Sequence, residues 1–427
     1  MRVLLVNTSS DSGGAAVAAR RLQEALLLNG TDARLLVRDS GFLGRWHFLW
    51  DRLLLFVRLG FRREHLFDID AGISGTDITR RREFRESDVI HLHWVNQGML
   101  SLRDLRKIIR SGKAVVWTMH DAWPSTAICH LTLGCRQFTS QCRHCQYLSP
   151  SFGSPAVGAV ERAIPSGLNS RWLSRVWRRK QRVLRGSDII FVACSRWLEG
   201  EAKASALLRG HHIVNIPNPI DTRIFRPGSR EESRRAEGLP QDRLLVLFVC
   251  QRLTNAYKGM DYFIEACRQL VSARPDMAGE VSVVLLGSHA SDVAGLLPFP
   301  SICPGYVSDE QRMVRLYRSA DVFVLPSLSE NLPNTIMEAM ACGVPCLGFR
   351  VGGIPEEIDH LRTGYVARYR DASDLAHGLH WLLYEADRRS MSRDCVRKVE
   401  QCYSQAAVAV KYTEIYQQAL AHKHFRI

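Results

Sequence analysis

Val322-Phe323-Val324-Leu325-Pro326-Ser327-Leu328-Ser329-Glu330-Asn331-Leu332-Pro333-Asn334-Thr335-Ile336-Met337-Glu338-Ala339-Met340 reads as one strand, one turn and one helix. Residues 322–326 are apolar without alternation, as a strand covered on both faces of a parallel sheet must be. Pro333 suits the first turn of the following helix, and Gly343 suits its C-terminal stop. Glu338 falls more than a turn inside that helix, between Met337 and Ala339. A buried carboxylate is expensive unless it accepts hydrogen bonds. The two hydroxyls of a ribose would serve, and a structural salt bridge is the alternative.

The same order of short apolar run, turn and longer helical pattern recurs along the chain, which predicts parallel α/β sheets. In the first half the strand candidates are 2–7, 34–37, 88–93, 114–120, 189–195 and 212–216; in the second half they are 244–250, 281–287, 322–326 and 345–349. At 427 residues the chain exceeds one ordinary core, so two domains of about 200 residues each are expected. The stretch between them is rich in Pro, Gly and charge, giving a first domain 1–216, a linker 217–243, a second domain 244–400 and a C-terminal helix 401–427 that packs back on the first domain. Two such Rossmann-like halves predict a cleft lined by the carboxyl ends of both sheets.

Composition narrows the class without choosing the function. Apolar residues make up 46% and charged ones 23%, as in an ordinary globular protein. Lys and Arg exceed Asp and Glu, 57 against 43, a net +14 that favours anionic partners. The opening run 1–7 is too short for a signal-peptide core. No stretch reaches the roughly 18 uninterrupted apolar residues of a spanning helix. A cytoplasmic protein, soluble or peripheral on a membrane, is expected, with its twelve Cys reduced.

Three further turns carry chemistry. Gly13 and Gly14 open a helix after the first strand, where glycine lets an anion approach backbone N–H groups; a tight turn without ligand is the alternative. Arg252 leaves a strand and Lys258 opens the next helix, two cations able to meet a diphosphate, unless the loop is simply solvated. Gly352 and Gly353 then lead into a helix begun by Pro355, whose amides can hold another part of the same ligand.

Together these residues resemble the retaining glycosyltransferases of family 4, which have the GT-B fold. The resemblance spans nearly the whole chain and is strongest over 244–366. Its most specific element is a Glu-x7-Glu pattern, Glu330 to Glu338, joined by Arg252 and Lys258, Gly13-Gly14, Asn218-Pro219-Ile220-Asp221 and His120-Asp121. It implies that Arg252 and Lys258 bind a nucleotide-sugar diphosphate and that Glu338 binds the ribose. It also implies that Glu330 faces the transferred sugar and that His120 contacts it near the reacting centre. Asn334, Gly352 and Gly353 are counted with the donor site. The implied reaction retains anomeric configuration and needs no metal ion or other cofactor for catalysis. After Glu330 this chain has Asn331-Leu332-Pro333-Asn334 where the family commonly has Gly-Phe-Gly.

Trp117-Thr118-Met119-His120-Asp121-Ala122-Trp123-Pro124 followed by a cysteine cluster is similar to a subset of these enzymes found in surface-polysaccharide biosynthesis, of the exopolysaccharide and colanic-acid-like kind. The expected acceptor is therefore a saccharide, lipid-linked in the main reading. Cys129, Cys135, Cys142 and Cys145 have a spacing that can satisfy a structural zinc, with reduced buried cysteines or a redox disulfide as the alternatives. Two basic stretches interleaved with aromatics, 45–63 and 171–185, suit an anionic membrane surface on the inner face of the plasma membrane; a core-facing helix with a solvated basic side is the alternative. Asp68-Ile69-Asp70 follows a basic segment rather than a strand and is read as a loop, not a metal-binding Asp-x-Asp. An epimerase of the same fold would use the same donor pocket with no acceptor. A zinc-containing nucleic-acid-binding protein would leave Glu330, Glu338 and the glycine turns without a role, so no nucleic-acid partner is expected.

Overall fold

The computed structural model describes residues 1–38, 41–149 and 167–424. They form two compact units, one of Met1–Pro217 with Ala409–Ile427 and one of Asn218–Val408. The first unit has a six-stranded sheet of β1 (Arg2–Asn7), β2 (Asp32–Val37), β3 (Val89–Leu92), β4 (Ala114–Met119), β5 (Ile190–Ala193) and β6 (His212–Asn215), in the order β2-β1-β3-β4-β5-β6. The second has β7 (Leu244–Arg252), β8 (Val281–Ser288), β9 (Ser301–Gly305), β10 (Val322–Leu325), β11 (Cys346–Phe349) and β12 (Gly364–Ala367), in the order β12-β11-β10-β7-β8-β9. Every pairing is parallel, so each unit is a Rossmann-like layer of helices around one sheet, the architecture of the GT-B fold.

The central strands are buried along their length and set the position of the loops at their carboxyl ends. All six residues of β4 are buried, and Val116 pairs with both His91 and Ile190, which delivers His120 to the carboxyl end of the sheet. The Gly14–Leu28 helix buries Ala18, Leu22, Ala25 and Leu26 at helical spacing and ends where Gly30 takes a φ of 76°. The Leu102–Ile109 helix begins with a reciprocal cap in which the Ser101 hydroxyl accepts from the Asp104 amide and the Asp104 carboxylate accepts from the Ser101 amide.

Strands β9 and β12 went unanticipated. Both are sheet edges: β9 contains Pro304, and β12 has only four residues. An edge strand needs neither the long apolar run nor the full set of amides that marks a central one.

The span 217–243, read as a linker, is built into the second unit from Asn218 onward. Its Arg230–Ala236 helix is capped by Ser229, whose hydroxyl accepts from the Glu232 amide. Arg234 is buried, donating to Asp321 at 2.7 Å and to the carbonyls of Ser319 and Arg243. Charge that looks solvated in the sequence is thus paired inside. The C-terminal helix begins at Gln405, and its Tyr412 and Tyr416 bond into the first sheet through Thr118 and His91.

Asp68-Ile69-Asp70 is irregular apart from one antiparallel bridge between Ile69 and Cys129. Asp70 accepts from Arg52 at 2.7 Å, and Asp51 accepts from the same guanidinium at 2.6 Å. Arg52, read as part of a membrane-facing basic stretch, is therefore a buried structural cation. No helix among the described residues is long and apolar enough to cross a membrane.

Candidate active site

In the first unit, β1 ends at Asn7, and the chain turns through Gly13 into its helix. Gly13 has a φ of 89° with open space where a Cβ would stand, and no side chain caps this helix. Backbone conformation, rather than crowding, is what requires glycine here.

His120 sits one residue beyond β4 in a stack of imidazoles. Its Nε2 lies 2.9 Å from Nδ1 of His93, with the rings 5.2 Å apart and nearly parallel. The Cys194 Sγ is 3.7 Å from its Nδ1. His91 adjoins His93 and is held between Tyr416 and Thr118. Burial pushes His120 down to about 4 and His91 to about 3, and His93 well below the usual histidine range. His120 is thus a neutral imidazole at neutral pH, able to hydrogen-bond a sugar hydroxyl without adding charge.

Asp121 organises the loop through protein donors. It accepts from Trp94 Nε1, His130 Nδ1 and the Trp123 amide, at 2.7, 2.7 and 2.8 Å. Burial raises its carboxyl, but His130 and these donors outweigh burial and hold it below the usual carboxylate range. Beneath it, Lys180 lies 3.4 Å from the centre of the Trp123 ring and donates to the carbonyls of Trp123 and Thr126. Burial brings that ammonium down to about 7. Lys180 belongs to the stretch read as membrane-facing, and the structure makes it a strut for the loop after His120.

The cysteines at 129, 135, 142 and 145 are free thiols, and the neighbouring thiols add to burial in raising Cys129, Cys142 and Cys145. Burial, the larger cause, puts Cys142 at about 11 and Cys145 at about 12. Yet among the described residues no three His, Cys, Asp or Glu side chains converge so as to hold a metal ion. The tetrahedral site expected from their spacing is not formed in this arrangement.

In the second unit the carboxyl ends of β7, β10 and β11 bring four sequence signals together. Lys258 donates to Glu330, and although burial works against its charge, that carboxylate holds the ammonium above its ordinary value. Arg252 is exposed at the end of β7, its Nε donating to Thr254. Gly259, next to Lys258, has a φ of 71°, and a Cβ there would meet the Pro326 carbonyl oxygen at 1.8 Å. Gly352 has a φ of 56°, and a Cβ there would meet the Glu330 carbonyl oxygen at 1.7 Å. Gly353 donates its amide to the Asn331 carbonyl at 2.8 Å, so the Glu330 turn and the Gly352-Gly353 turn are clasped backbone to backbone.

Glu338 lies in the Asn334–Ala341 helix, 8% exposed, and its Oε2 accepts from the Tyr317 hydroxyl at 2.8 Å. A protein donor thus meets one of its oxygens. Asn334, the first residue of that helix, accepts from Asn218 at 3.1 Å, which ties the Asn218-Pro219 turn to the same loop. Glu357, in the short Ile354–Glu357 helix, is wholly buried, and neither carboxylate oxygen has a hydrogen-bond partner among the described residues. Burial, reinforced by nearby Glu330, pushes its carboxyl well above the usual range.

The sequence reading missed His93, Lys180, Tyr317 and Glu357. Only His93 left a signal: His91-x-His93 at a strand end sets both imidazoles on one face.

Two family models match, "Glycosyltransferase Family 4" over residues 12–224 and "Glycosyl transferases group 1" over 243–385. The chain belongs to the glycosyltransferases of the group 1 and family 4 type. Curated relatives of this chain include D-inositol 3-phosphate glycosyltransferases. That of Thermobifida fusca is 29% identical over 47% of this chain and 50% of its own length, and that of Paenarthrobacter aurescens 32% over 48% and 51%. The match thus spans about half the length of these curated relatives. Among solved structures, sucrose-phosphate synthase from Thermosynechococcus elongatus superposes with a TM-score of 0.67 at 17% identity, covering 99% of this chain and 100% of that one. Anabaena HepE in complex with UDP-glucose gives 0.61 at 14%, covering 98% and 100%. These two show the shared fold.

Proposed function

We propose that this glycosyltransferase takes a hexose from a nucleotide diphosphate sugar and passes it, with retained anomeric configuration and without a catalytic metal ion, to a growing lipid-linked saccharide of a surface polysaccharide. The observation that carries the reading is the clasp in the second unit. Lys258 is anchored by Glu330, the Glu330 turn is locked to Gly352-Gly353, and Arg252 forms no ion pair with a described carboxylate at the end of β7. A diphosphate leaving group gathers negative charge as the glycosidic bond breaks, and preorganised cations stabilise it most at that moment. Glu330 orients Lys258 in the absence of donor; with donor bound, its carboxylate faces the sugar. Glu338 receives the ribose hydroxyls alongside Tyr317, and the neutral His120 bonds the sugar being transferred. The UDP-glucose held by the Anabaena protein supports a nucleotide-sugar donor of this class.

The acceptor reading rests on the aromatic and basic stretches of the first unit, which suit an enzyme working peripherally on the inner face of the plasma membrane. The four cysteines enter the reading as packing for the loop beyond His120. The test is transfer itself: purified protein incubated with a panel of nucleotide diphosphate sugars and a lipid-extract acceptor, followed by product linkage analysis. Arg252→Ala and Lys258→Ala are expected to lower turnover about 10²-fold each, in line with loss of one oxyanion-stabilising group, while melting temperatures stay close to wild type. Normal turnover in both variants removes the diphosphate clamp. Interconversion of free donor sugars without transfer would point to an epimerase instead.

A further inference from the structure

The first unit carries a groove that the proposed transfer does not use. It lies between the Leu102–Ile109 helix and the Gly167–Leu184 helix, has a volume of about 630 Å³, and is lined by Arg103, Arg106, Arg175, Arg178, Arg179 and Arg182. Its lining contains no acidic residue, and none of the six forms an ion pair with a described residue. Guanidinium groups crowded on one face repel one another, and the arrangement is relieved by an anion that accepts from several forks at once. Phosphate is the group that fits those forks.

A second groove continues from the first through shared Leu102, Arg175 and Arg179, and reaches Leu54 and Arg58 of the Phe42–Arg58 helix. Arg58 sits 5.3 Å from the centre of the Trp172 ring, joining the two helices. The Phe42–Arg58 helix buries Leu55 and Arg52 but presents Phe42, Trp46, Leu49, Trp50, Leu53 and Val57 outward, with Phe42 80% and Leu49 61% exposed. With Trp50 beside Leu49 and the rest spaced by three or four, they make one apolar stripe of about four turns. An apolar stripe of this length running into an arginine groove is unusual for a surface facing only water. A bilayer of anionic lipid satisfies both halves: the stripe enters the headgroup boundary, and the lipid phosphates reach the arginines. A nucleic acid would engage the arginines and leave the aromatic stripe in water.

We propose that the arginine groove between the Leu102–Ile109 and Gly167–Leu184 helices binds the phosphates of anionic lipid headgroups and seats the first unit on the membrane beside the inserted Phe42–Arg58 helix. The inference rests on the membrane-peripheral reading above and names the residues that perform it. Arg103 and Arg106 lie outside both basic stretches seen in the sequence, so the groove is a product of the fold.

The test is sedimentation of the full chain with phosphatidylcholine vesicles, with and without phosphatidylglycerol, at low salt. Wild type is compared with R175Q/R179Q/R182Q, with W46S/L49S/L53S, and with R209Q/R235Q/R389Q, which removes as many exposed charges elsewhere. With roughly 1 kcal/mol of attraction per basic residue near anionic lipid, the groove variant is expected to lose at least ~10-fold in binding to the anionic vesicles. The charge-matched control should lose less than about 2-fold on the same reasoning. The stripe variant should weaken binding to both vesicle types, since it removes apolar burial. If wild type binds neither vesicle, the membrane reading and the groove fall together. If wild type binds anionic vesicles and the groove variant binds as well as the control, the groove alone falls. Displacement of the protein from vesicles by single-stranded oligonucleotide, lost in the groove variant, would overturn the lipid assignment in favour of nucleic acid.

Discussion

Replacing Gly352 by alanine tests whether the two turns of the second unit act as one. The new Cβ carries two separable penalties. The first is conformational: at a φ of 56° a non-glycine residue sits in the left-handed region, which costs about 1–2 kcal/mol. The second is contact: the Cβ would stand 1.7 Å from the Glu330 carbonyl oxygen, and backbone rather than a movable side chain is what it meets. Restoring van der Waals separation of roughly 3.3 Å requires the turns to part by about 1.5 Å. That motion displaces Glu330 and, through it, Lys258. Misplacement by about 1 Å in a reacting site can cost ~10² in rate, so turnover should fall by about that factor or more. Gly238 supplies the control, because its φ is 66° and nothing lies within 4 Å of a built Cβ. Gly238→Ala carries the first penalty without the second. Thermal melts report the conformational cost in both variants, and steady-state transfer reports the displacement in one. Equal activity in the two variants, at matched stability, would refute the claim that the Gly352 turn positions Glu330.

Glu338→Gln should weaken binding of the free nucleotide diphosphate by about 1.5–3 kcal/mol, the worth of a hydrogen bond to a charged group; calorimetry showing unchanged affinity removes Glu338 from the site. Acid should destabilise the first unit early. His91 and His120 are held at about 3 and 4 against an ordinary 6.5, so the unfolded chain takes up protons that the folded one refuses, and stability is lost as pH falls from 6.5 towards 4. Melts at pH 7 and pH 5 check this, and His91→Gln should flatten part of the slope; a variant with the wild-type slope argues against it. Glu357 has the opposite sign. Its folded carboxyl keeps a proton that the unfolded chain releases above about 4.5, so stability falls as pH rises beyond that point. Glu357→Gln should therefore gain melting temperature over wild type more at pH 8 than at pH 5, and a pH-independent difference would mean that the carboxyl is solvated.

The sequence by itself determined the parallel α/β architecture and most of the donor-side turns. Central strands such as β1, β4 and β10 must be apolar on both faces, and helix punctuation by Pro333, Gly343 and Gly352 is local chemistry. Both signals survive in one dimension. Edge strands β9 and β12 did not, because partial pairing relaxes the demands that make a strand readable.

What only the tertiary structure decided is which charges are solvated and which are used. Arg52, Lys180 and Arg234 look like surface cations in a row of other basic residues, yet each is buried against carbonyls or carboxylates contributed by distant segments. Glu338 and Glu357 differ in the same way: one meets Tyr317, the other meets no described donor, and burial raises its carboxyl. The His93–His120 contact joins residues 27 apart, and the arginine groove joins two helices well separated in the chain. Burial and pairing depend on neighbours brought together by folding, and a linear pattern of residue types does not contain those neighbours.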